Sequence, residues 1–187
     1  MSDQPSVKIL GVSGSLRRDS YNTAALRAAK ELAPAGVTLE IFDIAPIPLY
    51  NEDVRAQGFP QAVEDFRARI KAADALLIVT PEYNYSIPGV LKNAIDWASR
   101  PPEQPFNGKP IALMGASIGA FGTARAQYHL RQSFVFMNGL VLNQPEVMIG
   151  AAGTRFDAQG RLIDEKSREL ITALLTGLRD WTLRLRR

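Results

Sequence analysis

The chain has no cysteine at all and only one histidine, His129, among its 187 residues. The first absence removes disulfides, thiolate nucleophiles, iron–sulfur ligation and dithiol redox chemistry. The second leaves too few ligands for a conventional zinc site. Any redox chemistry therefore has to be carried by a bound organic cofactor. No apolar run approaches the roughly 18–20 residues of a membrane span. The first residues, MSDQPSVKILGV, are polar and then turn into a strand pattern, without a charged n-region, a long h-region or a cleavage site, so a cytoplasmic protein is expected. A large excess of one charge is also missing. Lys and Arg number 22 against 19 Asp and Glu, a net charge of +3, and several of the arginines gather in the closing RDWTLRLRR, where cations suit the end of a helix. With no recognition motif and too little charge for a basic stripe, no nucleic-acid partner is expected.

What is present is an alternation. An apolar share of 46% and 22% charged residues suit a soluble globular protein, and the length suits one domain spanning 1–187. Strand-length apolar runs at 7–13 (VKILGVS), 37–44 (VTLEIFDI), DALLIVTPEY, 109–117 (KPIALMGAS) and GLVLNQPEVMI alternate with helical patterns at 22–36, 59–73, 87–100 and 123–137, and a long amphipathic stretch, DEKSRELITALLTGLRDWTLRLRR, ends the chain. The continuous apolar run of DALLIV reads as a central strand buried on both faces. The pattern predicts an α/β fold: a doubly wound, five-stranded parallel sheet of order 2-1-3-4-5, with helices on both faces. Ligands of such sheets bind beyond the carboxyl ends of the strands at the topological switch point, here between strands one and three. The loops after Ser13, Thr80 and Ala116 are expected to converge there.

Those three loops are also the compositionally unusual ones. GVSGSLRRDSYN (11–22) matches neither familiar phosphate loop: no Gly-Lys-Ser/Thr follows at P-loop spacing, and the glycines at 11 and 14 do not make G-x-G-x-x-G. It offers Ser13, Ser15, Ser20, Asn22, Arg17 and Arg18 at the start of a helix, where free N–H groups and the dipole favour an anion. A compact phosphomonoester fits such a bowl better than a bridging pyrophosphate, although Ser20 or Asn22 can equally serve as a helix cap. TPEYNYSIPGVLKNAIDW holds Glu82, Tyr83, Asn84, Tyr85 and Ser86 between two prolines. It has no tyrosine–lysine pair and no evident partner to make Glu82 a base, but a stiff aromatic turn can flank a flat heteroaromatic ring. GASIGAFGTAR carries Gly115, Gly119 and Gly122, which let backbone approach a ligand closely. Together the loops describe a site for flavin mononucleotide (FMN).

At these residues the sequence resembles the NADPH-dependent FMN reductase family, in particular its quinone and chromate reductase-like members. GSLRRDSYN is similar to the family's phosphate loop G-S-L-R-x-x-S-x-N, PEYNYSIPGVLKNAIDWASRP matches its long signature almost throughout, and GASIGAFGTARAQYHLRQ is similar to its third loop. The resemblance implies a flavodoxin-like fold, bound FMN, and NADPH or NADH as hydride donor. Electrons would then pass in a ping-pong cycle to a small-molecule acceptor: a quinone above all, with chromate, azo compounds and ferric complexes as other candidates. It further implies that Ser15, Arg17, Ser20 and Asn22 bind phosphate, that Pro81, Glu82, Tyr83, Asn84 and Tyr85 line the flavin, and that Ser117 and Gly119 approach its ring edge. No residue is expected to be catalytic beyond the flavin itself, and no metal is expected. The family is usually a homodimer or a dimer of dimers. Arg125, Tyr128 and Gln132 recur at helical spacing, which suggests an interface where Arg125 and Tyr128 meet Glu146. Competing readings are a non-catalytic flavodoxin-type electron carrier, an FMN-holding scaffold, and a Rossmann dehydrogenase with Asp43 gripping a ribose.

Overall fold

The protein is described here by a computed structural model covering residues 6–186. Five parallel strands run in the order β2-β1-β3-β4-β5: β1 (Val7–Ser13), β2 (Val37–Phe42), β3 (Ala75–Val79), β4 (Pro110–Ala116) and β5 (Leu140–Val141). The expected order is therefore observed, with one correction at the far edge. The fifth strand is two short pieces, because the sixth strand β6 (Val147–Ile149) also pairs with β4. Residues β5 and β6 take opposite halves of the same edge: Pro110 and Ile111 register with Leu140 and Val141, and Met114 to Ala116 with Val147 to Ile149. Pro145, between them, has no N–H to give the ladder.

Helices cover both faces. On one side α1 (Tyr21–Glu31) and α6 (Glu165–Leu185) pack Leu26, Ile171, Leu174, Leu175 and Leu178 onto the odd-numbered side chains of β1, Val7 and Ile9. On the other, α3 (Gln61–Ala72), α4 (Gly89–Ala98) and α5 (Ala124–Phe136) bury Phe66, Ile70, Trp97, Leu130 and Phe134 against Leu10, Leu76 and Ile78. All five residues of β3 are buried, as its unbroken apolar run predicts. A single-turn helix, α2 (Glu52–Arg55), is an addition that the apolar periodicity is too short to signal. Among the described residues no helix is long and apolar enough to cross a membrane.

After β6 a 3-10 turn (Ala152–Thr154) and an isolated bridge between Phe156 and Leu162 lead to Asp164, which caps α6. The Asp164 carboxylate accepts the Ser167 hydroxyl at 2.6 Å and its N–H at 3.0 Å, and pairs with Arg155. These bonds, the Ser167 hydroxyl foremost, hold its pKa below the ordinary aspartate value. A depressed carboxylate contributes stability that is present above its unfolded pKa and lost as pH falls through the folded one. Replacing Asp164 by Asn should therefore flatten the acid limb of the stability curve below about pH 4 while changing its slope little near neutrality. Urea midpoints of both proteins across that range check this, and parallel acid limbs refute it.

Candidate functional site

The carboxyl ends of β1, β3 and β4 lie side by side, and their loops meet around one cavity of about 210 Å³. Gly14 N–H donates to Val79 carbonyl at 2.8 Å, which seats the first loop against the end of β3. Ser13 Oγ pairs with Thr23 Oγ1 at 2.8 Å, and Ser20 caps α1, its hydroxyl oxygen accepting the N–H groups of Asn22 and Thr23. Ser15 Oγ accepts Arg17 N–H at 3.3 Å. In both serines the hydroxyl hydrogen stays available to a ligand. Among the described residues the backbone N–H groups of Leu16, Arg18, Asp19, Ser20 and Tyr21 have no hydrogen-bond partner, and neither Arg17 nor Arg18 has a carboxylate within ion-pair distance. A helix start with five free donors and an unpaired guanidinium in its wall is a site for an anion.

Ser15, Arg17, Ser20 and Asn22 all line the cavity, as expected from sequence. The Asn22 side chain, however, is also engaged within the protein. Its side chain is 4% exposed and spent on β4: Nδ2 donates to Ala116 carbonyl at 2.9 Å, and Oδ1 accepts Ala116 N–H at 2.8 Å. Asn22 is thus a strut between the first and third loops. The capping alternative falls to Ser20 rather than to Asn22.

Pro81, Glu82 and Tyr83 form the adjoining wall. Glu82 turns its carboxylate away from the cavity and onto the start of α5. It accepts the N–H groups of Arg125 at 3.0 Å and Ala126 at 3.1 Å and pairs with the Arg125 guanidinium at 2.5–2.6 Å. The carboxylate therefore satisfies orphan donors at a helix start and is not a free base. Beyond it the backbone makes a tight hairpin turn: Tyr83 N–H and Ser86 carbonyl, and Ser86 N–H and Tyr83 carbonyl, bond at 3.1 and 3.0 Å. Asn84 and Tyr85 at its tip have φ of 50° and 66°. Two left-handed central residues suit the twist of a hairpin, but a tyrosine there is strained and must be held by its surroundings. The Arg125 guanidinium lies over the Tyr85 ring, 3.8 Å from its centre. Asn84 and Tyr85 continue the turn past the cavity wall, and the N–H groups of Glu82, Asn84 and Tyr85 are unpaired among the described residues.

The third loop is tied down from behind. Ser117 N–H donates to Ile149 carbonyl, and the carbonyls of Ser117 and Gly119 accept from Ala152 and Ala151. Gly122, at φ 58°, presses on β6 so closely that a Cβ would lie 2.9 Å from the Met148 carbonyl carbon. Ser117 lines the cavity, its Oγ accepting Gly119 N–H at 3.1 Å, while Gly119 itself lies outside the wall. Tyr21, Ala116 and Ile118 also line the cavity and were not foreseen. Tyr21 sits between two named residues of the first motif, and that adjacency was the only available signal. Leu16, Tyr83, Tyr85, Ile118 and Phe121, from all three loops, are solvent-exposed.

Arg125, Tyr128 and Glu146, expected at an interface, also have contacts within one chain. Arg125 is engaged by Glu82 within the same chain, and Tyr128 Oη reaches Glu146 at 3.5 Å in that chain too, so the trio does not require a partner copy. Glu82, although 43 residues away in sequence, takes the Arg125 guanidinium that was expected to meet Glu146.

Known proteins share this sequence and fold. The family model for NADPH-dependent FMN reductase matches residues 7–154. The chain is 66% identical over 186 residues to an NAD(P)H-dependent FMN reductase of Pseudomonas aeruginosa, covering the whole of both. It is 44% identical over 183 residues to a quinone reductase of Escherichia coli K12, covering 96% of this chain and 97% of that one. Among solved structures it is similar to FerB, a flavoenzyme NAD(P)H:(acceptor) oxidoreductase from Paracoccus denitrificans, with a TM-score of 0.86, 35% identity, and 95% and 98% of the two chains covered.

Proposed function

The chain belongs to the NADPH-dependent FMN reductase family, an oxidoreductase family that uses FMN and NAD(P)H, and from that premise we propose that it reduces quinones at the cavity beyond β1, β3 and β4. The observation that carries the reading is the anion bowl itself: five unpaired N–H groups and an unpaired Arg17 at the start of α1, beside a stiff turn with three more free donors. Those residues fit FMN. Arg17, the hydroxyls of Ser15 and Ser20 and the loop N–H groups would hold its phosphate. The free N–H groups of Glu82, Asn84 and Tyr85 would serve the ring, with Ser117 and Gly119 as the residues for its far edge. The cavity, of about 210 Å³, would take the phosphate end of the cofactor, and the exposed Tyr83, Ile118 and Phe121 beside it would be left for the ring.

When bound, FMN supplies two-electron transfer from NAD(P)H to the acceptor. The protein's own work is positioning and electrostatics. Donors fixed before the reaction, aimed at the ring edge, stabilise negative charge that develops there, and they need no reorganisation. The exposed Leu16, Tyr83, Tyr85, Ile118 and Phe121 around the cavity offer apolar surface on which nicotinamide and then a planar quinone would bind in turn, a ping-pong sequence. The one buried carboxylate of the wall, Glu82, is bound to α5, so the proton that a quinone takes up beyond the hydride would come from solvent at the open rim.

The absorption spectrum of the purified protein, followed anaerobically on adding NADPH and then benzoquinone, tests the reading. A yellow protein that bleaches with NADPH and recolours with quinone is expected. Yellow protein that bleaches but does not recolour would remove quinones as acceptors, and protein that cannot be reconstituted with FMN would overturn the assignment of all three loops.

A further inference from the structure

The single histidine of the chain lies outside the cavity wall and has no part in the reading above. His129 Nδ1 stands 3.0 Å from Ser86 Oγ, and among the described residues this is the only hydrogen bond of either side chain. Ser86 is the residue that closes the turn begun by Tyr83. His129 lies one helical turn after Arg125 on α5, and so on the same face. The strained tip of the turn, Asn84 and Tyr85, is therefore held from three points on one helix: Glu82 on the helix start, Arg125 over the Tyr85 ring, and His129 on Ser86. Two of these grips precede or sit at the tip. Beyond the tip, among the described residues, the histidine makes the one side-chain hydrogen bond to Ser86, next to Ile87, which packs on the core.

We propose that His129 is a positioning residue: through Ser86 it clasps the Tyr83–Ser86 turn to α5, so that the turn meets the flavin ring in a single conformation. The proposal rests on the FMN reading for its consequence, but not for its geometry. Asparagine tolerates the left-handed region, whereas tyrosine pays a steric penalty there, so a turn released at one end relaxes towards ordinary backbone angles. Relaxation would swing the free N–H groups of Asn84 and Tyr85 away from the ring. A serine suits this clasp because its hydroxyl rotates: it donates to a bare Nδ1 or accepts from a protonated one, and the bond survives in either form of the ring.

The test is amide hydrogen exchange on the protein combined with FMN titration of the apoprotein, for His129→Ala, Ser86→Ala, their double variant and His129→Asn. Each single variant should speed exchange at the Tyr83 and Ser86 amides by about threefold to tenfold and raise the FMN dissociation constant by a similar factor, the range expected for one partly exposed hydrogen bond. The double variant should do no more than either single one, because both remove the same contact. His129→Asn, whose amide reaches the position of Nδ1, should restore part of the loss. Amides in the middle of α5 should exchange as before, which separates the clasp from general loosening of the helix. Unchanged exchange in both single variants, additive effects in the double variant, or faster exchange with unaltered FMN affinity would each overturn the proposal. A wild-type protein that does not bind FMN would instead defeat the cofactor reading, while the exchange data would still report on the clasp.

Discussion

Replacing Arg17 by alanine should weaken FMN binding by about 1.5–3 kcal/mol, roughly tenfold to somewhat over a hundredfold, and leave riboflavin binding nearly unchanged. The argument runs from what the guanidinium lacks. Arg17 lines the cavity, and among the described residues no carboxylate lies within ion-pair distance of it, so its charge there is uncompensated until an anion arrives. A charge-assisted hydrogen bond to a phosphate oxygen is worth about twice a neutral one. The loss is bounded from above because the five backbone N–H groups and the dipole of α1 stay in place. Riboflavin carries the same ring and ribityl chain without the phosphate, so it isolates the contribution of the bowl. Arg18, equally unpaired but outside the cavity wall, supplies the control: Arg18→Ala should act only through longer-range electrostatics, which salt weakens. Equal losses for the two arginines would mean that the loop attracts phosphate by net charge alone. Unchanged FMN affinity in the Arg17 variant would remove it from the site.

The fold and the location of the site were legible because both depend on local patterns that tertiary context did not override. The unbroken run of β3, the serine before α1 and the periodic apolar residues of α3, α4 and α6 each specify one element, and the switch-point rule then places the three loops together. What was not legible depends on who meets whom across the chain. Asn22 and Ala116 are 94 residues apart, and no spacing rule says that an amide in a phosphate-loop motif will turn to a strand end. Glu82 reads as a flavin-lining residue or a lone base, and only the approach of α5 turns it into a helix cap. Arg125, Tyr128 and Glu146 have the composition of an interface, and the sequence does not reveal that Glu82 reaches Arg125 first. The division of the last strand has a cue in Pro145, but the parallel partner of both pieces had to be seen.

Asn22 carries the second large effect. Removing its side chain with Asn22→Ala leaves the N–H and the carbonyl of Ala116 without partners at a buried site, at about 1–3 kcal/mol for each, so a loss of roughly 2–6 kcal/mol of folding stability is expected. Asn22→Asp discriminates more sharply. One carboxylate oxygen can still accept Ala116 N–H, but the other meets Ala116 carbonyl with a lone pair where the amide offered a hydrogen. Burial and that repulsion both raise the pKa of the new carboxyl in the folded state. A carboxyl whose folded pKa lies above its unfolded one favours folding more as it is protonated, so the deficit against wild type should be largest at neutral pH and shrink as the pH falls through the raised value. Urea unfolding of wild type and variant over that range reads it directly. The same variants separate a strut from a phosphate ligand. If Asn22 holds the first and third loops at their spacing, FMN and riboflavin affinities fall together, since the ring edge and the phosphate bowl lose register with each other. If it binds phosphate, FMN affinity falls alone and stability hardly changes. Two hydrogen bonds to one residue, with the side chain almost fully buried, favour the first outcome.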